Sequence, residues 1–173
     1  MRFKYVAKDF IRESLIYYIL SDMSFYERYF YRESLFLTIG YLKIPVSTTD
    51  LSILTINGFH HMNTWIYKPL DPFTEPIERG KIVIDCRSLV MNQLKPYQHI
   101  EIMKKGEYET YYDYDNQWIC ISRTPNDVPW MRVQIATQII IDLNEEGQID
   151  RFWVLPYFVG SLSDIDKIND DLS

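Results

Sequence analysis

Apolar and polar positions change their spacing twice along the chain. Between residues 7 and 39, Ile11, Leu15, Tyr18 and Ile19 recur at helical intervals, with Asp9 placed as an N-cap. Ser24-Phe25-Tyr26-Glu27 has capping-box spacing, in which the serine hydroxyl and the glutamate carboxylate each satisfy a backbone N–H of the other. Tyr26, Tyr29, Phe30 and Leu37 extend the stripe until Gly40, a helix-ending glycine, and Pro45. Two helices over 7–39 are therefore expected, and Ser24→Ala should cost on the order of 1 kcal/mol through the lost cap. From residue 50 the period falls to two. Strands are expected over 51–56 and 62–67 around Asn57-Gly58, a hairpin-turn dipeptide. Residues 68–80, with Pro69, Pro72, Pro76 and Gly80, read as a loop, followed by a strand over 81–85 and a short helix over 87–94. Strands are expected over 97–103, 107–114 and 117–123. One long strand over 130–143 should then pair with another over 148–158, and a polar tail from 159 should end in a short helix starting near Ser163.

This order predicts a single α+β domain over residues 1–173, with N-terminal helices packed on a curved, mainly antiparallel sheet. The stretch Thr137-Gln138-Ile139-Ile140-Ile141-Asp142-Leu143-Asn144-Glu145-Glu146-Gly147-Gln148-Ile149-Asp150-Arg151-Phe152-Trp153 joins an apolar strand, an acidic-glycine turn and an aromatic-bearing strand. It resembles the last hairpin of the cone-shaped, nuclear-transport-factor-two-like superfamily. That resemblance covers about the last third of the chain. It implies helices packed into the concave face of a bent sheet and, in the superfamily's enzymes, an Asp or His inside the cone.

Charge separates the chain into two parts. The 173 residues carry a net charge of −6. Residues 1–105 hold 14 Lys/Arg and 11 Asp/Glu, a net of +3, whereas residues 106–173 hold 4 and 13, a net of −9. An acidic third repels phosphate and steers a basic protein inward, so a basic protein partner is expected and nucleic acid is not. Hydrophobic residues make up 47% and charged residues 24%, the balance of a globular protein. No apolar run approaches the ~18 residues of a membrane span, and the charged N-terminus does not read as a secretory signal. Two cysteines, Cys86 and Cys120, make no disulfide framework. A cytoplasmic protein without a membrane partner is expected.

Catalytic chemistry finds little support. The glycines are scattered, and no phosphate-cradling loop or nucleophile elbow is present. His60 and His61 are adjacent and in a strand point to opposite faces, so they make no joint metal site. The positions that the superfamily resemblance singles out are Asp85 and His99. Asp85 reads as a cap for the following turn, and in an apolar site it would instead serve as a general base. No catalytic residue, metal or cofactor is assigned.

The segment from Glu107 to Asp115 separates its residues at period two: Tyr108, Thr110, Tyr112 and Tyr114 on one face, Glu107, Glu109, Tyr111, Asp113 and Asp115 on the other. A tight turn at Asp115-Asn116 pairs Tyr112 with Ile119 and Thr110 with Ile121 on the core face. It pairs Asp113 with Trp118, Tyr111 with Cys120 and Glu109 with Ser122 on the outer face. Glu107, Glu109, Tyr111, Asp113, Asp115 and Trp118 are the expected partner-binding residues, rings set among carboxylates. The expected function is that of a non-catalytic inhibitor, such as the immunity protein of a bacterial toxin–immunity pair. The alternative is a small-molecule-binding protein or enzyme of the cone superfamily.

Overall fold

The computed structural model describes residues 1–27, 34–88, 99–123 and 128–171, and strands dominate them. In chain order these are β1 (Phe3–Ala7), β2 (Ile16–Ile19), β3 (Ser24–Glu27), β4 (Ser34–Ile39), β5 (Leu42–Ser47), β6 (Asn57–Phe59), β7 (Ile66–Tyr67) and β8 (Glu78–Ile84). They continue with β9 (His99–Met103), β10 (Glu109–Tyr112), β11 (Ile119–Ser122), β12 (Met131–Ala136), β13 (Ile139–Leu143), β14 (Ile149–Val154) and β15 (Tyr157–Val159). One α-helix, α1 (Leu162–Asp171), closes the described chain. An eight-stranded sheet runs β1-β8-β12-β13-β14-β11-β10-β7, and a seven-stranded sheet runs β15-β2-β3-β6-β5-β4-β9. Most neighbours are antiparallel; β7–β10, β8–β12, β4–β9 and β2–β15 are parallel.

The two sheets enclose one core. Ile16, Tyr18, Leu37 and Ile44 from the smaller sheet join Ile82, Ile119, Ile141 and Phe152 from the larger in a single buried cluster. A smaller cluster lies on the other side of the seven-stranded sheet, where Tyr17, Ile19 and Val159 meet Ile165 of α1. Asp164 in its first turn caps that helix: its carboxylate accepts from the Ser161 N–H and hydroxyl, at 2.8 and 3.0 Å.

Among the described residues the expected N-terminal helices are absent, and the α+β assignment with them. Ile16–Ile19 is a strand with all four residues buried, two toward each cluster. A strand covered on both faces reads as an unbroken apolar run, from which helical spacings can also be picked out. Its β-branched and aromatic residues favour the pleated backbone. Ser24 opens β3 instead of capping a helix, and Glu27 is buried against Arg12 at 2.9 Å. Gly40 (φ +55°) and Tyr41 close the β4–β5 hairpin, which pairs Ile39 with Leu42, and Pro45 lies inside β5. Tyr29, Phe30 and most of the helix expected over 87–94 fall outside the described residues.

Two further expectations change. Asn57-Gly58 is no turn but the start of β6, between β3 and β5. Gly58 has φ +104°, and a Cβ there would lie 2.7 Å from the Tyr41 carbonyl oxygen. The strand expected over 130–143 folds back on itself at Thr137-Gln138, so that β12 pairs with β13, Met131 opposite Leu143. Gln138 is buried at this bend: its side chain accepts from the Ile16 N–H at 2.8 Å and donates to the Leu155 carbonyl at 2.6 Å. Pairing of the 139–143 segment with the strand from 149 is as expected.

Candidate functional site

The β10–β11 hairpin has the register that its sequence predicts. Glu109 faces Ser122, Thr110 faces Ile121, Tyr111 faces Cys120 and Tyr112 faces Ile119. Beyond them the Asp113 N–H donates to the Trp118 carbonyl at 2.9 Å. The left-handed conformation that closes the loop falls on Gln117 (φ 60°), not on Asp115-Asn116.

Cross-strand pairing carries the outer face of this hairpin far across the eight-stranded sheet. Ser122 sits opposite Arg151, Arg151 opposite Asp142, and Asp142 opposite Arg132, so that one row of polar side chains crosses β10 to β12. The next row is apolar: Tyr111, Cys120, Trp153 and Ile140. Neither row is wet. The proline-rich segment after β7 lies over them, and Leu70 packs with Tyr111, Trp118, Cys120, Ile140 and Trp153 in a second buried cluster.

Asp142 is the hub of the polar row. It is fully buried and accepts a bidentate pair from Arg132 (Nε 2.7 Å, Nη2 2.8 Å), a bond from Arg151 Nη1 (3.3 Å) and one from the Trp153 indole (3.0 Å). Arg132 places its remaining Nη1 on the Pro72 carbonyl at 2.6 Å, which ties the overlying loop to the sheet. Removing one member of this buried group would leave its partners short of a hydrogen-bonding countercharge in low dielectric.

Asp113 is a second tie. Its carboxylate accepts from the Leu70 N–H at 2.7 Å and from the Asp115 and Asn116 N–H groups at 2.9 and 3.2 Å. Those bonds, the Leu70 one foremost, hold its carboxyl below the usual range. Asp113 therefore pins the loop to the hairpin tip.

The expected binding residues thus divide into two groups. Glu107, Glu109 and Asp115 are exposed, whereas Tyr111, Asp113 and Trp118 are buried under the loop. Phe73, carried by that loop, is exposed and meets the Trp118 ring edge-on at 5.9 Å. The Tyr111 hydroxyl donates to Glu109, and Lys68 Nζ lies 3.6 Å from the Tyr111 ring centre. Between loop and sheet remains a cavity of about 240 Å³, lined by Lys68, Tyr111, Cys120, Arg132, Arg151 and Trp153 among others.

The titratable groups are poorly placed for proton transfer at neutral pH. Burial, helped by Glu109, pushes Tyr111 up to about 12. Burial also pushes the Cys120 thiol up. His60 is buried beside Thr110, whose hydroxyl is 2.8 Å from Nε2, and burial lowers its pKa to about 4. His61 points elsewhere and accepts from the Asn63 N–H at the following turn. Asp85 does cap the turn after it, accepting from the Arg87 N–H at 3.2 Å. It also meets Lys4 at 2.9 Å, and Lys4 keeps its carboxyl ionised below the usual range. His99 is exposed on the sheet-edge strand β9 and stacks on Phe36 at 5.3 Å.

Sequence reasoning passed over the segment just before β12. Val128 and Trp130 are exposed there, 77% and 58%, on either side of Pro129. The available signal was two large apolar residues flanking a proline ahead of a strand, where neither can be placed in a period-two core face. The chain matches no protein-family model, and a search of the curated proteins finds no match.

Proposed function

We propose that the protein is a non-catalytic binding protein whose acidic third takes a basic protein partner. An inhibitor of this kind is the immunity member of a toxin–immunity pair, acting in the cytoplasm. One observation carries the reading: two arginines on the outer face of the large sheet are neutralised internally by Asp142, while other carboxylates of the acidic third stay outside. Arg132 and Arg151 are buried on Asp142, whereas Glu107, Glu109, Asp115, Glu145 and Glu146 are exposed. Such a surface attracts a cationic protein and speeds its encounter. The high pKa of Tyr111 and the low one of His60 favour a binding role over acid–base catalysis. Both free thiols, Cys86 and Cys120, suit a reducing compartment.

The test is surface plasmon resonance against the product of the neighbouring gene, at two salt concentrations. Reversing Glu107 and Glu109 to Lys should lower the association rate about tenfold and flatten its salt dependence, with little change in dissociation. Unchanged association and salt dependence in a folded variant would overturn the reading.

A further inference from the structure

We infer that the ridge Val128-Pro129-Trp130 anchors the interaction surface, and that it receives an arginine-bearing segment of a basic protein. This rests on the acidic-binding reading above and says where and how the partner sits. Trp65, Trp118 and Trp153 are each 5–6% exposed, so Trp130 is the one tryptophan that the fold leaves in water. Val128 is more exposed still.

The ridge separates two grooves. One, of about 710 Å³, is walled by Trp130 with the exposed Glu145 and Glu146; Asp150, also in its lining, is buried and paired with Arg151. Its cation, Arg123, is already engaged, donating to the Gln148 side chain at 3.2 Å and the Ile102 carbonyl at 2.8 Å. The other groove, of about 310 Å³, is walled by Trp130 with Glu75 and Glu78, and Arg132 at its floor is held bidentate by Asp142. Both grooves therefore offer carboxylates beside one indole.

That pairing selects the occupant. Carboxylates on both sides repel phosphate, which disfavours nucleic acid. A guanidinium is planar, stacks on an indole face and forks bidentate onto a carboxylate, whereas an ammonium meets ring and carboxylate alike as a point charge. A segment crossing the ridge can place an arginine in each groove with its backbone over Val128 and Pro129.

The experiment uses the full chain with two probes, an oligo-arginine and an oligo-lysine peptide of equal length. Binding is followed by calorimetry and by the fluorescence of Trp130. The arginine peptide should shift and quench Trp130 emission and bind about threefold or more tighter than the lysine peptide. Trp130→Ala and the Glu145→Lys/Glu146→Lys pair should each weaken it about tenfold. Val128→Ser provides a milder variant of the ridge. Equal affinity for both peptides, or no loss in Trp130→Ala, overturns the inference. So does burial of Trp130 that rises with protein concentration alone, because a second copy would then occupy the ridge. If Glu107→Lys/Glu109→Lys weakens the neighbouring-gene product while Trp130→Ala does not, the ridge is wrong and the acidic-binding reading stands. If neither variant affects that partner, both fail.

Discussion

The two faces of the eight-stranded sheet are made by alternate residues of the same strands, and along β11, β13 and β14 both are buried, yet they are built from different materials. On β13, Ile139, Ile141 and Leu143 enter the aliphatic core between the sheets. Their neighbours Ile140 and Asp142 face the loop, and Asp142 organises two arginines and an indole. The inner face holds by apolar area and shape, which are non-directional and tolerate conservative change. The outer face holds by directed bonds among charges, which makes it specific in geometry and intolerant of a missing member.

Removing the hub should have the largest effect. Asp142→Ala leaves Arg132 buried without its carboxylate, and Arg151 with Asp150 in place of two carboxylates, and should lose about 3–5 kcal/mol in urea unfolding. Replacing the bidentate pair together, Arg132→Met and Asp142→Leu, with Arg151 left on Asp150, should recover much of that loss. A double variant as unstable as the single one would show that the outer face depends on more than charge balance. The inner side has its own titratable group in His60, which hydrogen-bonds to Thr110 of β10. Its pKa falls from 6.5 to about 4, so between those values the unfolded chain binds a proton that the native chain does not. Stability should therefore be complete above about pH 6.5 and decline as the pH drops toward 4, by up to about 3 kcal/mol. His60→Gln should flatten that slope in unfolding curves at pH 7, 6 and 5, and an unchanged slope would place the titration elsewhere. The smallest effect belongs to Ile141→Val, one residue from the hub but facing inward. It should cost about 0.5–1.5 kcal/mol, the removal of one methylene from a close-packed core. A loss matching Asp142→Ala would erase the distinction between the faces.

The hairpin at 109–122 was legible because its alternation is short and regular: Tyr112 and Thr110 on one side, Glu109, Tyr111 and Asp113 on the other. The same alternation was misread as inside against outside. Tyr111 and Trp118 lie on the predicted outer face, but the proline-rich segment covers them through Leu70. Arg132 likewise points away from the main core, as its position in the alternation requires, and is buried all the same. Ile16–Ile19 failed for the opposite reason. With both faces covered it has no alternation at all, and a helix explains four successive apolar residues as well as a strand does.

By itself the sequence determined what is local or additive: the acidic last third, the register of the 109–122 hairpin, the turn at 144–147, a short helix in the tail near Ser163 and the cap at Asp85. Turn chemistry, capping and net charge depend on neighbours within a few residues, so they need no knowledge of the rest of the fold. Tertiary structure decided which faces are covered. Only the placement of residues 68–77 over β10 to β13 buries Trp118 and Asp113 and encloses Arg132–Asp142–Arg151, while Trp130 stays the exposed tryptophan. Burial is a property of what lies opposite a side chain, and for these residues the opposing segment is some 40 to 80 positions away in the chain.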